Sequence, residues 1–278
     1  MTQIPSSPPP ASNPAAPKPQ DVPYWAPSPG VPLNGGPDPR DPVNEALWRN
    51  PHFGSIDPLH LPLVTDPKRG NRSTYFKLND GTNAPTAPVT VCVRQVQPGL
   101  DYAKVLGPFV AQVGSKSGLH HAKLVQAAAM ICADGSGPLA KKDKTGAPQT
   151  ALAFGTQPAT YPDPSQFPYV VLPQAFYRTH SDVKQGDLVA VLYKGRVTYA
   201  VAGDQGDGNH FGEVSVKVAR ELAIPSDPNN GGVPNGVTYV FFPGSGFGNP
   251  ADPAKCTPAN IAAVGAALFA AAGGKPTL

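Results

Sequence analysis

The sequence contains few cysteines and no long apolar or basic run. Its three cysteines, Cys92, Cys132 and Cys256, form no CxxC pair, which argues against a zinc site and a disulfide framework. The longest apolar run, "IAAVGAALFAAAGG", is shorter than the ~18 residues that cross a bilayer. The formal net charge is +3, and no run of five or more Lys or Arg occurs. We therefore expect three small buried cysteines, no metal, no membrane span and no nucleic-acid partner.

The N-terminus also lacks the basic start and hydrophobic core of a secretory signal. Proline is abundant there instead, with 14 prolines in the first 42 residues. Such a segment buries too little apolar surface to offset its ordering entropy. The composition predicts an extended Pro-rich disordered tail over residues 1–43, with the role of a linker.

Two regions follow the tail. Residues 44–115 contain short helix-like and strand-like pieces between Pro and Gly turns. We interpret them as an irregular N-terminal extension or a small subdomain. Residues 116–278 have a more regular pattern and are predicted to form one domain.

The clearest unit of this domain is a β-hairpin. Two apolar runs of strand length flank Lys194 and Gly195, and glycine in the second place of a two-residue turn is typical of a hairpin. The later segment "EVSVKVARELAIP" begins extended and becomes helical, because Val214, Val218 and Leu222 are spaced four apart.

Other segments complete the predicted fold. The Ala-rich segment "HAKLVQAAAMICADGSG" fits a strand ending at Asp134 and Gly135, and equally a helix. Further strands are predicted from "TALAFG" (150–155), "YVVLPQAF" (169–176) and "GVTYVFFPG", and a helix from the last apolar run. The fold class is mainly β with helices (α+β), with a β-barrel core and a C-terminal helix.

Candidate chemistry lies in "GDQGDGNHFGE", where the second hairpin strand ends. Asp204 is held there at the rim, and Glu213 begins the next ordered segment. Two carboxyl groups across a glycosidic bond are the apparatus of sugar hydrolysis. A surface turn is the simplest alternative, since Asp, Gly and Asn dominate turns. A calcium loop with Asp204, Asp207, Asn209 and Glu213 is a third, although Gly206 stands where an EF-hand has a ligand.

The combination of motifs resembles glycoside hydrolase family 75, the chitosanases known from fungi and also present in bacteria. Gly203-Asp204 and Gly212-Glu213 match the family's strand-ending Gly-Asp and the following Gly-Glu, in that order. The upstream "DGSGPLAKKDKTGAPQTALAF" resembles its Asp-Gly turn and Gln-Thr strand entry. The resemblance covers roughly residues 120–272 and implies a six-stranded barrel of the double-psi type.

By this resemblance the chain is an endo-acting hydrolase of β-1,4-linked glucosamine polymers (chitosan), which inverts the anomeric centre and needs no cofactor. The catalytic pair is Asp204 and Glu213. We favour Asp204 as the acid, because a residue closing a core strand is easily desolvated and so kept protonated. The expected substrate-contacting residues are Asp134, Gln149, Thr150, Tyr199, Asp207 and His210.

Two features leave the substrate open. Chitosan is polycationic, yet residues 120–245 contain ten Lys and Arg and ten Asp and Glu. This balance permits a local acidic cleft but does not predict one. The resemblance implies action outside the cell or on a cell wall, although no signal peptide is visible. A peptidoglycan hydrolase delivered as a toxic effector and a catalytically inactive carbohydrate-binding module are the alternatives. We expect a monomer.

Overall fold

The computed structural model describes residues 61–63, 89–91, 93–96, 99–142, 146–155, 160–206 and 211–274. Its strands are β1 (Leu61–Leu63), β2 (Val89–Val91), β3 (Val93–Gln95), β4 (Leu100–Asp101), β5 (Leu119–His120), β6 (Lys123–Cys132), β7 (Tyr169–Pro173), β8 (Leu188–Tyr193), β9 (Arg196–Gly206), β10 (Glu213–Ser215) and β11 (Val233–Phe242). The α-helices are α1 (Tyr102–Leu106), α2 (Val110–Val113), α3 (Gln174–Thr179), α4 (Val216–Glu221) and α5 (Pro258–Ala271), and a 3₁₀ turn spans Gly107–Phe109.

Six of the strands form a closed ring. Its order is β10, β7, β9, β8, β11 and β6, and β10 also pairs with β6, which closes the circuit. The β7–β9 and β6–β10 pairs are parallel, and the others are antiparallel. β3 pairs with the first residues of β6, outside the ring. The predicted mainly β class with helices and a C-terminal helix is confirmed.

The strands of the ring bury both of their faces. Tyr169 and Val171 of β7 belong to the apolar cluster that includes α5, whereas Val170 belongs to a second cluster. A ring of six strands has room inside only for side chains. The 14-residue helix α5 must therefore pack on the outside, and Tyr169 and Val171 face outward.

The predicted C-terminal helix has a capping residue at each end. The hydroxyl of Thr257 accepts a hydrogen bond from the N–H of Asn260, and Pro258 occupies the first turn. Gly273 has a φ of 90° just after the last turn. Tyr102 and Leu106 of α1 are buried in the same cluster as this helix, so part of the N-terminal extension packs on the core.

The hairpin of β8 and β9 is also confirmed. Lys194 and Gly195 form its two-residue turn, with φ angles of 44° and 79°, which is the arrangement of a type I′ turn. The Ala-rich segment is strand β6 rather than a helix. Its Ala127 and Ala129 share the inner cluster with Tyr239 of β11, so small residues on one strand leave room for large ones on its neighbour.

Two strand predictions were wrong in part. Residues 150–155 form bends with an isolated bridge at Phe154, because backbone N–H groups of this segment bond to β9 and to a side chain on it instead of forming a ladder. Residues 174–176 begin α3 after the strand ends at Pro173.

Two further predictions from composition concern the cysteines and a membrane span. Cys132 and Cys256 are free and buried, as expected, and Cys92 lies outside the described residues. No helix in the described part of the chain has both the length and the apolar character that crossing a membrane requires.

Candidate active site

Asp204 and Glu213 lie on the two strands that flank β7. Val171 of β7 is the register partner of Asp204 in β9 and of Glu213 in β10. Partners in register point to the same face of a sheet, so the two carboxyl groups stand on either side of Val171 on the outer face. Met130 of β6 is the partner of Glu213 on its other edge.

A bulge at Gly203 turns Asp204 to that face. Val170 pairs with Ala202 and Val171 with Asp204, so Gly203 is skipped. Without this irregularity Asp204 would share the inward face of Ala202, because side chains alternate along a strand. A Cβ atom on Gly203 would lie 2.5 Å from the Cβ of Tyr169, so only glycine fits between the two strands.

The Asp204 side chain is buried, with 7% of its surface exposed, and is anchored through one oxygen. Its Oδ1 accepts hydrogen bonds of 2.8 Å from the N–H groups of Ala151 and Gln205. No described residue donates to Oδ2. A proton on this carboxyl group therefore belongs on Oδ2, because Oδ1 already accepts two donors.

The pKa of Asp204 is raised from 3.8 to about 7, chiefly by burial. The negative charges of Asp134 and Glu213 contribute to this rise. The two backbone N–H groups act in the opposite direction, since they stabilise the carboxylate. Asp204 is thus a carboxyl group that holds its proton near neutral pH, which is the property of a general acid.

Glu213 is placed by the glycine that precedes it. Gly212 has a φ of 105°, and a Cβ atom on it would lie 2.4 Å from the carbonyl oxygen of Ala128. The Gly212 carbonyl accepts a 2.8 Å hydrogen bond from the N–H of Met130. This close approach to β6 sets Glu213 at the first position of β10, where 4% of its surface is exposed.

A third carboxylate, Asp134, lies beside Asp204. The Sγ atom of Cys132 and one carboxylate oxygen each of Asp134 and Asp204 lie within 4.8 Å of one another. Asp134 is half-buried and follows the end of β6. Its Oδ1 accepts a 2.5 Å hydrogen bond from the N–H of Ala147, and its carbonyl accepts a 2.6 Å bond from the hydroxyl of Tyr169.

Cys132, Asp134 and Asp204 have the spacing of a metal site. Burial raises the pKa of the Cys132 thiol well above its usual value, and Asp204 favours its protonated form as well. A cation would therefore have to displace protons from two of the three groups.

Of the other predicted site residues, Gln149 and Thr150 lie near Asp204 in the structure, whereas Tyr199 lies beneath a helix. Thr150 is buried and donates a 2.7 Å hydrogen bond to the carbonyl of Leu152, and Gln149 beside it is exposed. Both come just before Ala151 in the chain, whose N–H donates to Asp204. Tyr199 is buried on the outer face beneath α5, with its ring 6.2 Å from that of Phe269.

Between β9 and β10 the sequence predicts Asp207 and His210 as substrate contacts, and the calcium alternative includes Asn209 as a ligand. All three lie outside the described residues.

Sequence reasoning missed three contributors to the site: Ala151, Cys132 and Tyr169. Ala151 acts through its backbone N–H, which no side-chain motif can reveal. Cys132 and Tyr169 form a buried pair, with the hydroxyl 3.4 Å from Sγ. Cys132 and Tyr169 could have been predicted from their positions on strands next to Asp134 and Asp204.

Comparison with known protein families identifies the region that contains this site. The sequence model of a family described as the fungal chitosanases of glycosyl hydrolase group 75 matches residues 130–272. The match covers more than half of the chain and contains Asp134, Asp204 and Glu213. No curated protein matches the sequence.

Proposed function

Since the chain belongs to the family of fungal chitosanases of glycosyl hydrolase group 75, we propose that it cleaves β-1,4-linked glucosamine polymers internally, with inversion at the anomeric carbon. The observation that carries the proposal is the placement of Asp204 and Glu213 on opposite sides of Val171. The ring of six strands serves as the rigid support of this pair. We propose that it is a barrel with the double-psi connection.

The spacing of the two strands is compatible with inversion, because it leaves room for a water molecule between the side chains. Neighbouring strands lie ~4.8 Å apart, so the Cα atoms of Asp204 and Glu213, two strands apart, are separated by roughly 10 Å. Inverting hydrolases hold their carboxyl groups ~6.5–9.5 Å apart, because a water molecule must fit beside the sugar. A retaining enzyme needs only ~5–5.5 Å.

The roles follow from the two environments. Asp204 donates the proton on Oδ2 to the glycosidic oxygen as the bond between this oxygen and C1 breaks. Glu213 removes a proton from a water molecule on the opposite face of the sugar, and the water oxygen bonds to C1. Asp204 ends ionised and Glu213 protonated, and exchange of one proton with solvent restores both.

The charge around the pair supports a cationic substrate. Three carboxyl groups, those of Asp134, Asp204 and Glu213, interact electrostatically at this site. The carboxyl group of Asp163 lies 2.7 Å from the position of a Cβ atom on Gly137, in the turn after Asp134. A local excess of acidic groups attracts the ammonium groups of a glucosamine polymer.

The extent of the domain and its contacts complete the proposal. We assign the hydrolase to residues 116–278, with residues 44–115 as an extension and residues 1–43 as a Pro-rich tail. Asp134, Gln149 and Thr150 border the cleft, and the protein acts as a monomer outside the cell. We assign Tyr199 to packing rather than to sugar binding, because its ring lies beneath α5.

Measurement of reducing ends tests the proposal. The substrates are chitosans of graded acetylation and purified bacterial cell wall, and the variants are Asp204→Asn and Glu213→Gln. Asp101→Asn is the matched control, because Asp101 is exposed and caps α1, and asparagine caps a helix equally well.

We expect release from chitosan that declines with acetylation, a loss of ~100-fold or more in both site variants, and full activity in the control. Cleavage of cell wall alone would overturn the substrate assignment. Sugar binding without release by the wild type would indicate a binding module, and turnover in either site variant would overturn the catalytic pair.

A further inference from the structure

Asp134 is close to Asp204 but is not spaced to act as the second catalytic carboxylate. A carboxylate oxygen of each residue lies within 4.8 Å of the other. The carboxyl groups of an inverting pair are ~6.5–9.5 Å apart, so that a sugar and a water molecule fit between them. Asp134 therefore lies too close to Asp204 to be its partner across an inverting site, whereas Glu213 stands on the far side of Val171 from Asp204.

Asp134 is also fixed in place more firmly than a surface carboxylate. The hydroxyl of Tyr169 donates to its carbonyl at 2.6 Å, and its own N–H points to Sγ of Cys132 at 3.4 Å. The N–H of Ala147 holds Oδ1. Gly135, the next residue, has a φ of 114°, and a Cβ atom there would lie 2.2 Å from the carbonyl oxygen of Pro162. A side chain held at both ends keeps a constant distance to Asp204.

We propose that Asp134 is a positioning residue whose negative charge keeps the catalytic proton on Oδ2 of Asp204 and draws it back after each turnover. The inference deepens the proposed function and rests on Asp204 being the general acid. When Asp204 has given its proton to the leaving sugar, two carboxylates stand within 4.8 Å. Like charges at this distance favour uptake of a proton by one of them. Asp204 then regains a proton from solvent, while Glu213 releases the one that it took from water.

Among the residues that the structure describes, the titratable groups interacting with Asp204 are Cys132, Asp134, Tyr169, Tyr177 and Glu213. Of these, Asp134 and Glu213 are carboxyl groups that can carry a negative charge. Burial raises the pKa of Cys132, of Tyr169 and of Tyr177, so all three are neutral at the pH of catalysis. Between the two carboxylates, Asp134 raises the pKa of Asp204 more than Glu213 does.

Titration of the full-length chain by NMR, with ¹³C-labelled aspartate carboxyl groups and no substrate, tests the inference. Asp134→Asn removes the charge and retains an oxygen for the N–H of Ala147. We expect the midpoint of the Asp204 titration to fall by about 1 pH unit or more, as a charge at ~4–6 Å shifts a carboxyl pKa by ~1–3. Asp101→Asn removes one charge near the other end of β6 and should leave the midpoint unchanged. An unchanged midpoint in Asp134→Asn would overturn the inference.

A second measurement does not depend on the folding of Asp134→Asn. In the wild type the Asp134 carboxyl signal should show a second inflection at the midpoint of Asp204, and this inflection should vanish in Asp204→Asn. A single inflection in both proteins would overturn the inference. These titrations need no turnover, so they separate its failure from that of the proposed function.

The pH dependence of turnover adds a readout that a merely structural role would not move. If the protein hydrolyses chitosan, the basic limb of its profile of kcat/KM against pH should move to lower pH in Asp134→Asn, by the same amount as the midpoint of the Asp204 titration. A uniform loss of rate at every pH, with the limb in its wild-type position, would contradict the proposed role.

Discussion

Asp204 and Glu213 share one register partner, Val171, from opposite edges of the same strand. The spacing of their backbone positions is therefore set by the hydrogen-bonded sheet rather than by their separation in sequence. This arrangement gives catalytic groups the rigidity that precise positioning demands.

We predict that Asp204→Asn stabilises the protein at alkaline pH. The folded pKa of Asp204 is raised from 3.8 to about 7, so its contribution to stability is complete below about pH 4 and is lost as pH rises through about 7. Such a rise corresponds to at most about 4 kcal/mol. The amide never ionises, and its oxygen can accept from Ala151 and Gln205 as before.

Thermal unfolding checks this prediction. Asp204→Asn should equal the wild type at pH 4 and exceed it by about 1–3 kcal/mol at pH 8.5. The variant's free energy of unfolding should still depend on pH in part through Asp187, because burial raises the pKa of Asp187 to about 6. A variant less stable than the wild type at pH 8.5 would show that ionisation of the buried Asp204 does not destabilise the fold.

Gly203→Ala should disrupt the bulge that orients Asp204. The added Cβ atom would lie 2.5 Å from the Cβ of Tyr169, so one strand must move and Asp204 moves with it. We expect a loss of stability of about 1–3 kcal/mol and a fall in kcat that exceeds any change in KM.

The same substitution at Gly107 is the matched control. Its φ is −50°, and no atom outside its chain neighbours lies within 4 Å of the added Cβ position. Because a side chain before Pro108 disfavours the helical region, we expect a modest loss of stability but wild-type activity. Equal behaviour of the two variants in thermal unfolding and in chitosan hydrolysis would contradict the role of the bulge in orienting Asp204.

Two substitutions of Tyr199 distinguish a role in packing from a role in sugar binding. Tyr199→Phe retains the ring beside Phe269, and we expect an unchanged KM for chitosan. Tyr199→Ala should lower the free energy of unfolding by about 3–5 kcal/mol, in the range of other buried aromatic residues, and Phe269→Ala should do the same. A higher KM in Tyr199→Phe at wild-type stability would instead restore the predicted sugar contact.

The sequence predicted the local elements of the site well. The hairpin turn at Lys194 and Gly195, the strand that carries Asp204 and the C-terminal helix depend on nearby residues, and the structure contains all three. The resemblance to a hydrolase family likewise rested on short motifs around Asp204 and Glu213, and the family match includes them.

What the sequence could not predict depends on distant contacts. Strict alternation places Asp204 on the inner face with Ala202, and only the packing of Gly203 against Tyr169 reveals the bulge. The N–H of Ala151 reaches Asp204 from 53 residues away. The strand predicted at 150–155 failed for the same reason, since tertiary hydrogen bonds to β9 replace the ladder.

The measurement that tests the account most directly is ¹H NMR of the sugar released from a soluble glucosamine oligomer during the first minutes of reaction. Attack of water activated by Glu213, opposite the proton donor Asp204, yields the α-anomer first, and the β-anomer grows only by slow mutarotation. Appearance of the β-anomer first would show retention and would contradict the assignment of Asp204 and Glu213 as an inverting pair.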